Sequence, residues 1–174
     1  MYNTVKIGEK DIPMLAMASV DVYYRNIFHE DPIKLQTAKD LDEGDLIIFV
    51  QKMGFVMAKF AEVKDRKEMA KLNEDCFLEW LDQFDRADYL NALGDIRMTY
   101  EGQTVTASDA KKKGRRTERQ LTTALFVLRA IQMGLSIPDL DGLEYGAVID
   151  LMTEAGNDDC EYTPVAEQSD FDRF

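Results

Sequence analysis

The sequence predicts a mainly α fold: a helical domain with a small N-terminal β-hairpin, then a short helical extension and a disordered acidic tail. Three observations carry this reading. Strand-like alternation is confined to the first few residues. Apolar residues then recur at helical spacing in successive stretches, separated by capping residues, glycine and proline. Charge, finally, divides the chain: residues 1–110 hold 13 Lys/Arg against 21 Asp/Glu, residues 111–134 hold 7 against 1, and residues 135–174 hold 1 against 11. The expected organisation is a helical domain over 1–110, a basic linker and helical extension over 111–156, and a flexible acidic tail over 157–174, with the boundary near 106–116.

The hairpin rests on Val5 and Ile7, a Gly8-Glu9 turn and a second run ending at Leu15. Pro13 restricts that second strand to an edge. Ser19 is the expected N-cap of a helix whose face is Val20, Tyr23, Tyr24, Ile27 and Phe28, ending at Asp31-Pro32. Asp42, Glu43 and Asp45 precede "LIIFVQKMGFVMAKFAEV", which is apolar on nearly every face and so is expected to be the central buried helix. Gly54 in its interior costs about 1 kcal/mol relative to alanine, which points to close packing against a neighbour.

After a charged connector over 64–71, Asn73 caps a helix with Cys76, Phe77, Trp80, Leu81 and Phe84 on one face. Asp85 and Asp88 start another that carries Tyr89, Leu90, Leu93 and Ile96. From Tyr100 onward the periodicity breaks into a linker containing the basic run "KKKGRR". Beyond it, Leu121, Ala124, Leu125, Leu128 and Ile131 form a stripe that stops at Gly134. Phe126, Val127, Ala130 and Met133 widen that stripe almost all round, so this helix needs a partner surface. Helix-start signals at 136–139 and 141–144 lead into a last helix with Leu143, Ala147, Val148, Leu151 and Met152 on its face, ending at Gly156. The tail has no helical period and finishes with Phe171 and Phe174.

Composition excludes several function classes. A net charge of −12 repels a phosphate backbone, so nucleic acid is not an expected partner; an acidic inhibitor or DNA mimic acting on a host nucleic-acid enzyme is the alternative reading. Cys76 and Cys160 stand alone, without metal-ligand spacing, and no apolar run is long enough to span a bilayer. The expectation is a soluble, cytoplasmic-type protein with no cofactor and no metal. His29, the one histidine, lies at a helix C-terminus and reads as a capping residue rather than a base. No nucleophile motif, phosphate loop or zinc motif is present, and "DLDGLEYGAVID" places its glycine fourth where a calcium loop needs it sixth. The acidic residues before the long apolar helix read as a solvated first turn. The chain is expected to be a binding protein, not an enzyme.

The order of the pieces resembles a family. "TVKIGEKDIPMLAMAS", "VYYRNIF", "DLIIFVQKMGFVMAKFAE" and "FLEWLDQFDRADYLNAL" are similar to the first, shared domain of the tail assembly chaperones of long-tailed phages, especially siphophages of Gram-positive hosts. "RQLTTALFVLRAIQMGLSIPDLDGLEYGAVIDLMTEAGND" and "EQSDFDRF" are similar to the extension found in that family's longer product. The resemblance covers nearly the whole chain; each motif is degenerate and their order makes the case. It implies a non-catalytic role in the host cell cytoplasm: the shared domain coats and solubilises the tape measure protein, and the extension recruits the major tail protein to begin tube polymerisation. The chaperone is then absent from the virion, and self-association is compatible with the role. It also implies programmed ribosomal frameshifting with a seam at or near Lys111, Lys112 and Lys113. For the extension, Tyr145, Ile149, Phe171 and Phe174 are the expected partner contacts. Tyr145 and Ile149 are spaced i, i+4, and intramolecular packing is their alternative role.

Overall fold

The computed structural model describes residues 2–37, 42–63, 65–102 and 120–157. The basic run with Lys111, Lys112 and Lys113, the expected boundary, and Phe171 and Phe174 lie outside the described residues. Strands β1 (Tyr2–Ile7) and β2 (Lys10–Leu15) form an antiparallel ribbon in which Val5 faces Ile12 and Pro13 faces Thr4. Val5, Ile7 and Met14 are buried, and the ribbon lies on the helices that follow. Helix α1 (Val20–Phe28) buries Val20, Tyr24, Ile27 and Phe28, as its spacing predicts. It stops at His29, whose backbone adopts a left-handed φ of 57° and donates its N–H to the Arg25 carbonyl.

Ser19 does not act as the expected cap. Its φ, ψ of −84°, −6° are helical rather than extended, its side chain makes no capping bond, and its Oγ is buried without a hydrogen-bond partner. A capping hydroxyl reaches the second or third N–H only from extended backbone. The third N–H, of Val22, donates to the Ser19 carbonyl instead, as does the N–H of Tyr23. Helix α1 is already closed at His29, and the Asp31-Pro32 step opens a short helix α2 (Pro32–Thr37), with proline suited to its first position.

Helix α3 (Glu43–Glu62) is the central helix: it touches β2, α1 and both helices of the next segment, and its middle is buried continuously from Met53 to Ala58. Asp42 caps it by accepting from the Asp45 N–H at 2.8 Å. Lys52 is the one charged side chain it carries into the interior. There Glu30 accepts its Nζ at 2.9 Å and also accepts from the Tyr24 hydroxyl at 3.0 Å. The charged connector contains a single helical turn, α4 (Arg66–Met69), that the sequence reading did not anticipate.

Asn73 and Asp85 cap α5 (Glu74–Leu81) and α6 (Arg86–Glu101) with side-chain bonds to Cys76 N and Ala87 N, as their positions predict. Trp80 stands in an aromatic cluster with Phe55, Phe84 and Tyr89 at ring distances of 5.0–5.7 Å. At Gly54 an added Cβ would lie 2.8 Å from the Tyr89 hydroxyl and 3.1 Å from Ile96, so α3 and α6 cross where only hydrogen fits. Helix α6 runs through Tyr100, which the sequence reading placed in the linker. The ring is buried against the core, and burial holds the helix one turn longer.

The extension contributes α7 (Thr123–Gln132), a 3-10 turn (Pro138–Asp141) and α8 (Tyr145–Asn157), so Asn157 belongs to the last helix and not to the tail. Thr122 caps α7, and Gly134 at φ 93° closes it: Leu135 N bonds Ala130 O and Gly134 N bonds Ile131 O, the paired pattern that favours glycine at this position. Ser136 donates N–H and Oγ–H to Asp139 at the start of the 3-10 turn.

Two apolar clusters result among the described residues. The larger draws every buried side chain from residues 5–100. The smaller is shared: Ala18 and Ile33 come from the N-terminal body, and Phe126, Ala130, Leu140 and Val148 from the extension. The extension therefore packs on the body. Ala18 N donates to Leu143 O, Ser19 N to Leu140 O and Tyr145 N to Ala16 O, with Met17 and Glu144 forming an antiparallel bridge. Asp31 accepts the Thr123 N–H and hydroxyl, and Arg66 pairs with Asp141 at 3.4 Å.

Candidate functional site

Helix α7 is apolar on two faces, and only one is used inside. Thr123, Phe126 and Ala130 are buried, with Val127 packed beside them. The stripe that the spacing picks out most clearly (Leu121, Ala124, Leu128 and Ile131) faces outward instead, with Leu125 half-buried at its margin. The body offers Ala18 and Ile33 as a shallow seat, and one phenylalanine with a small alanine one turn later fits that seat. Leu128, Ile131 and Ile137 keep 43%, 47% and 54% of their surface exposed.

These outward residues line a groove of about 540 Å³ between α1 and α7. Val22, Arg25 and Asn26 form the α1 wall; Thr123, Ala124, Val127, Leu128 and Ile131 form the other, with Ile137 at one end. The groove is composite. Without the extension it has no second wall; without α1 it has no floor. Arg25 is exposed and gives the mainly apolar cleft one cationic side chain. The sequence marks Leu128 and Ile131 through their spacing. The apolar spacing does not mark Val22, Arg25 and Asn26 as groove residues, because they lie off the main apolar face of α1 and form a wall only when α7 lies alongside.

Tyr145 and Ile149 serve the packing. The Tyr145 ring lies between Tyr100 (5.5 Å, 26°) and Phe126 (5.4 Å, 29°), and Ile149 packs on the smaller cluster with Met152. Ala147 and Leu151, expected on the apolar face of α8, are exposed. The inward face is rotated by about one residue because stacking Tyr145 between two rings buries more surface than seating Ala147 would.

Below Tyr145 lies a buried carboxyl. Asp21 is fully enclosed in the first turn of α1; its Oδ1 accepts from the Tyr100 hydroxyl at 2.8 Å and its Oδ2 has no partner. Burial pushes its pKa up to about 7; the Tyr100 hydrogen bond opposes the rise and the nearby Asp31 adds to it. Burial likewise holds the Tyr100 and Tyr145 hydroxyls above the usual phenol range.

A second, smaller cavity of about 240 Å³ opens between α2, α3 and α6, bounded by Leu35, Leu46, Phe49, Met53, Ile96 and Tyr100. It belongs to the body alone. Among the described residues no group of three or more His, Cys, Asp or Glu side chains is placed to hold a metal ion, and no helix is long and apolar enough to cross a membrane. No protein-family model, curated protein or solved structure matches this chain.

Proposed function

We propose that the protein is a tail assembly chaperone of the long-tailed phage type, acting in the host cell cytoplasm by binding and not by catalysis. The observation that carries the reading is the composite groove: an outward apolar face on α7, backed by α1, in a helical chain of net charge −12. An apolar groove of this kind takes one face of a partner's apolar surface. Because it exists only with the extension, it is assigned to the major tail protein, while the tape measure protein, long and helical with exposed apolar stripes, is assigned to the body. The order of sequence segments described above supports the same reading over nearly the whole chain.

In this reading the body binds and solubilises the tape measure protein. The extension completes the groove, and with it recruits the major tail protein to start tube polymerisation. Phe171 and Phe174 remain expected contacts of the extension; Tyr145 and Ile149 act through the packing that holds α7 and α8 in place. The Lys111-Lys112-Lys113 run would mark the frameshift seam, and sequencing codons 109–117 tests this: one uninterrupted frame over all 174 residues overturns it.

The central test is a co-expression pull-down of residues 1–113 and of the full chain against the tape measure and major tail proteins encoded beside the gene. Both forms are expected to hold the tape measure protein, and only the full chain to hold the major tail protein. Binding of neither bait by either form overturns the reading.

A further inference from the structure

The seat that the body offers to the extension is complete without any covalent connection. It consists of the apolar pair Ala18 and Ile33, the Asp31 carboxylate, and three backbone groups at the β2–α1 corner: Ala16 O, Ala18 N and Ser19 N. All belong to a body whose larger cluster is drawn wholly from residues 5–100. The extension is the dependent partner. Its 38 described residues bury four apolar side chains in the shared cluster, and a segment of that size does not sustain a fold by itself. It takes its order from a body, and every contact it makes there would be made equally well on the body of a neighbour.

The connection permits the exchange. Seventeen residues separate Gly102 from Gln120, and a chain of that length reaches at most about 60 Å. The radius of gyration expected for a compact chain of this size is about 16 Å. The bridge between Met17 and Glu144 adds a backbone pairing of the kind by which one chain docks an extended segment of another.

We propose that the body is an acceptor for the extension of a second copy of this chain, so that neighbouring copies exchange residues 120–157 across the Ala18–Ile33–Asp31 seat. In a dilute solution each body takes its own extension, because the tether holds it at a local concentration in the millimolar range. Copies held side by side on a common partner reach comparable local concentrations, and the seat then links them. The exchange stands independently of the chaperone reading.

The test uses two full-length variants. Phe126→Asp disables the extension and leaves the seat open; Ile33→Asp disables the seat and leaves the extension free. A tagged Phe126→Asp chain is expected to capture the Ile33→Asp chain about tenfold better than it captures a second Phe126→Asp chain. Equal capture overturns the proposal. Emission from Trp80, the single tryptophan and a core residue of the body, reports whether each variant is folded. If either is not, the wild-type chain cut by a protease site placed within 103–119 replaces them. The two pieces are separated in denaturant and refolded together. Recovery of the extension on a folded body supports the acceptor seat. A folded body that leaves the extension in solution, or a body that does not refold, overturns it.

Discussion

Tyr100, in the last turn of α6, donates a 2.8 Å hydrogen bond to the buried carboxylate of Asp21 in the first turn of α1, and Tyr145 of the extension stacks on that same tyrosine ring. One phenol thus joins a buried polar contact of the body to the packing of the extension. The carboxylate beneath it has only one of its two oxygens satisfied.

The consequence is a pH-dependent stability with a defined sign. The folded-state pKa of Asp21 is pushed up to about 7 while the unfolded chain keeps an ordinary carboxyl near 3.8, so the folded state binds the proton more tightly. The stabilisation is fully present below pH 4 and is lost as pH rises toward and through 7; its size is on the order of 4 kcal/mol. Asp21→Asn is expected to raise the melting temperature at pH 8 and to flatten this part of the profile between pH 5 and 8. Denaturant melts at several pH values check it; a variant whose profile in that window is unchanged removes Asp21 as the titrating group.

Removing the tyrosine hydroxyl acts the other way. Tyr100→Phe leaves the Asp21 carboxylate buried with neither oxygen bonded, which costs roughly 1–3 kcal/mol. The loss is expected to be larger at pH 8, where the group is ionised, than at pH 5. Comparable losses at both values would mean that the contribution of the hydroxyl does not depend on the charge of Asp21.

The two faces of α7 separate stability from binding. Leu128→Asp and Ile131→Asp lie on the exposed face and are expected to shift stability by no more than about 0.5 kcal/mol. The same substitutions are expected to abolish retention of the major tail protein in the pull-down and to leave the tape measure protein bound. Tyr145→Ala removes two ring stacks and is expected to cost about 3 kcal/mol of extension seating. Its signature is faster amide exchange in α7 and α8 with unchanged Trp80 emission. Retained binding by Leu128→Asp would move the partner site off the groove.

Gly54 makes the crossing of α3 and α6 testable. Alanine is the better helix former by about 1 kcal/mol, but its methyl meets the hydroxyl of Tyr89, a buried ring bonded to the Gln51 carbonyl at 3.3 Å. Overpacking of this kind costs about 1–3 kcal/mol, so Gly54→Ala is expected to lower stability and Gly54→Leu to lower it further. Thermal melts decide the sign.

Residues close together along the chain decide its local elements. The hairpin, the caps at Asn73 and Asp85, the stop at Gly134 and the central place of the apolar α3 all follow from residues within a turn or two of each other. Even the tight α3 crossing was legible, because a glycine inside a strongly apolar helix has few other uses. The tertiary structure decided which face of a two-faced helix goes in. On α7 the spacing favours Leu121, Ala124, Leu128 and Ile131, yet the seat at Ala18 and Ile33 takes Phe126 and Ala130 and leaves that stripe outside. On α8 the ring of Tyr100, 45 residues upstream, draws Tyr145 inward and turns Ala147 and Leu151 to the surface. Ser19 loses its capping role for a similar reason, since the corner it occupies is shaped by backbone bonds to Leu140 and Leu143. Periodicity shows that a helix has an apolar face; the shape and spare hydrogen bonds of the distant surface it meets choose between one such face and another.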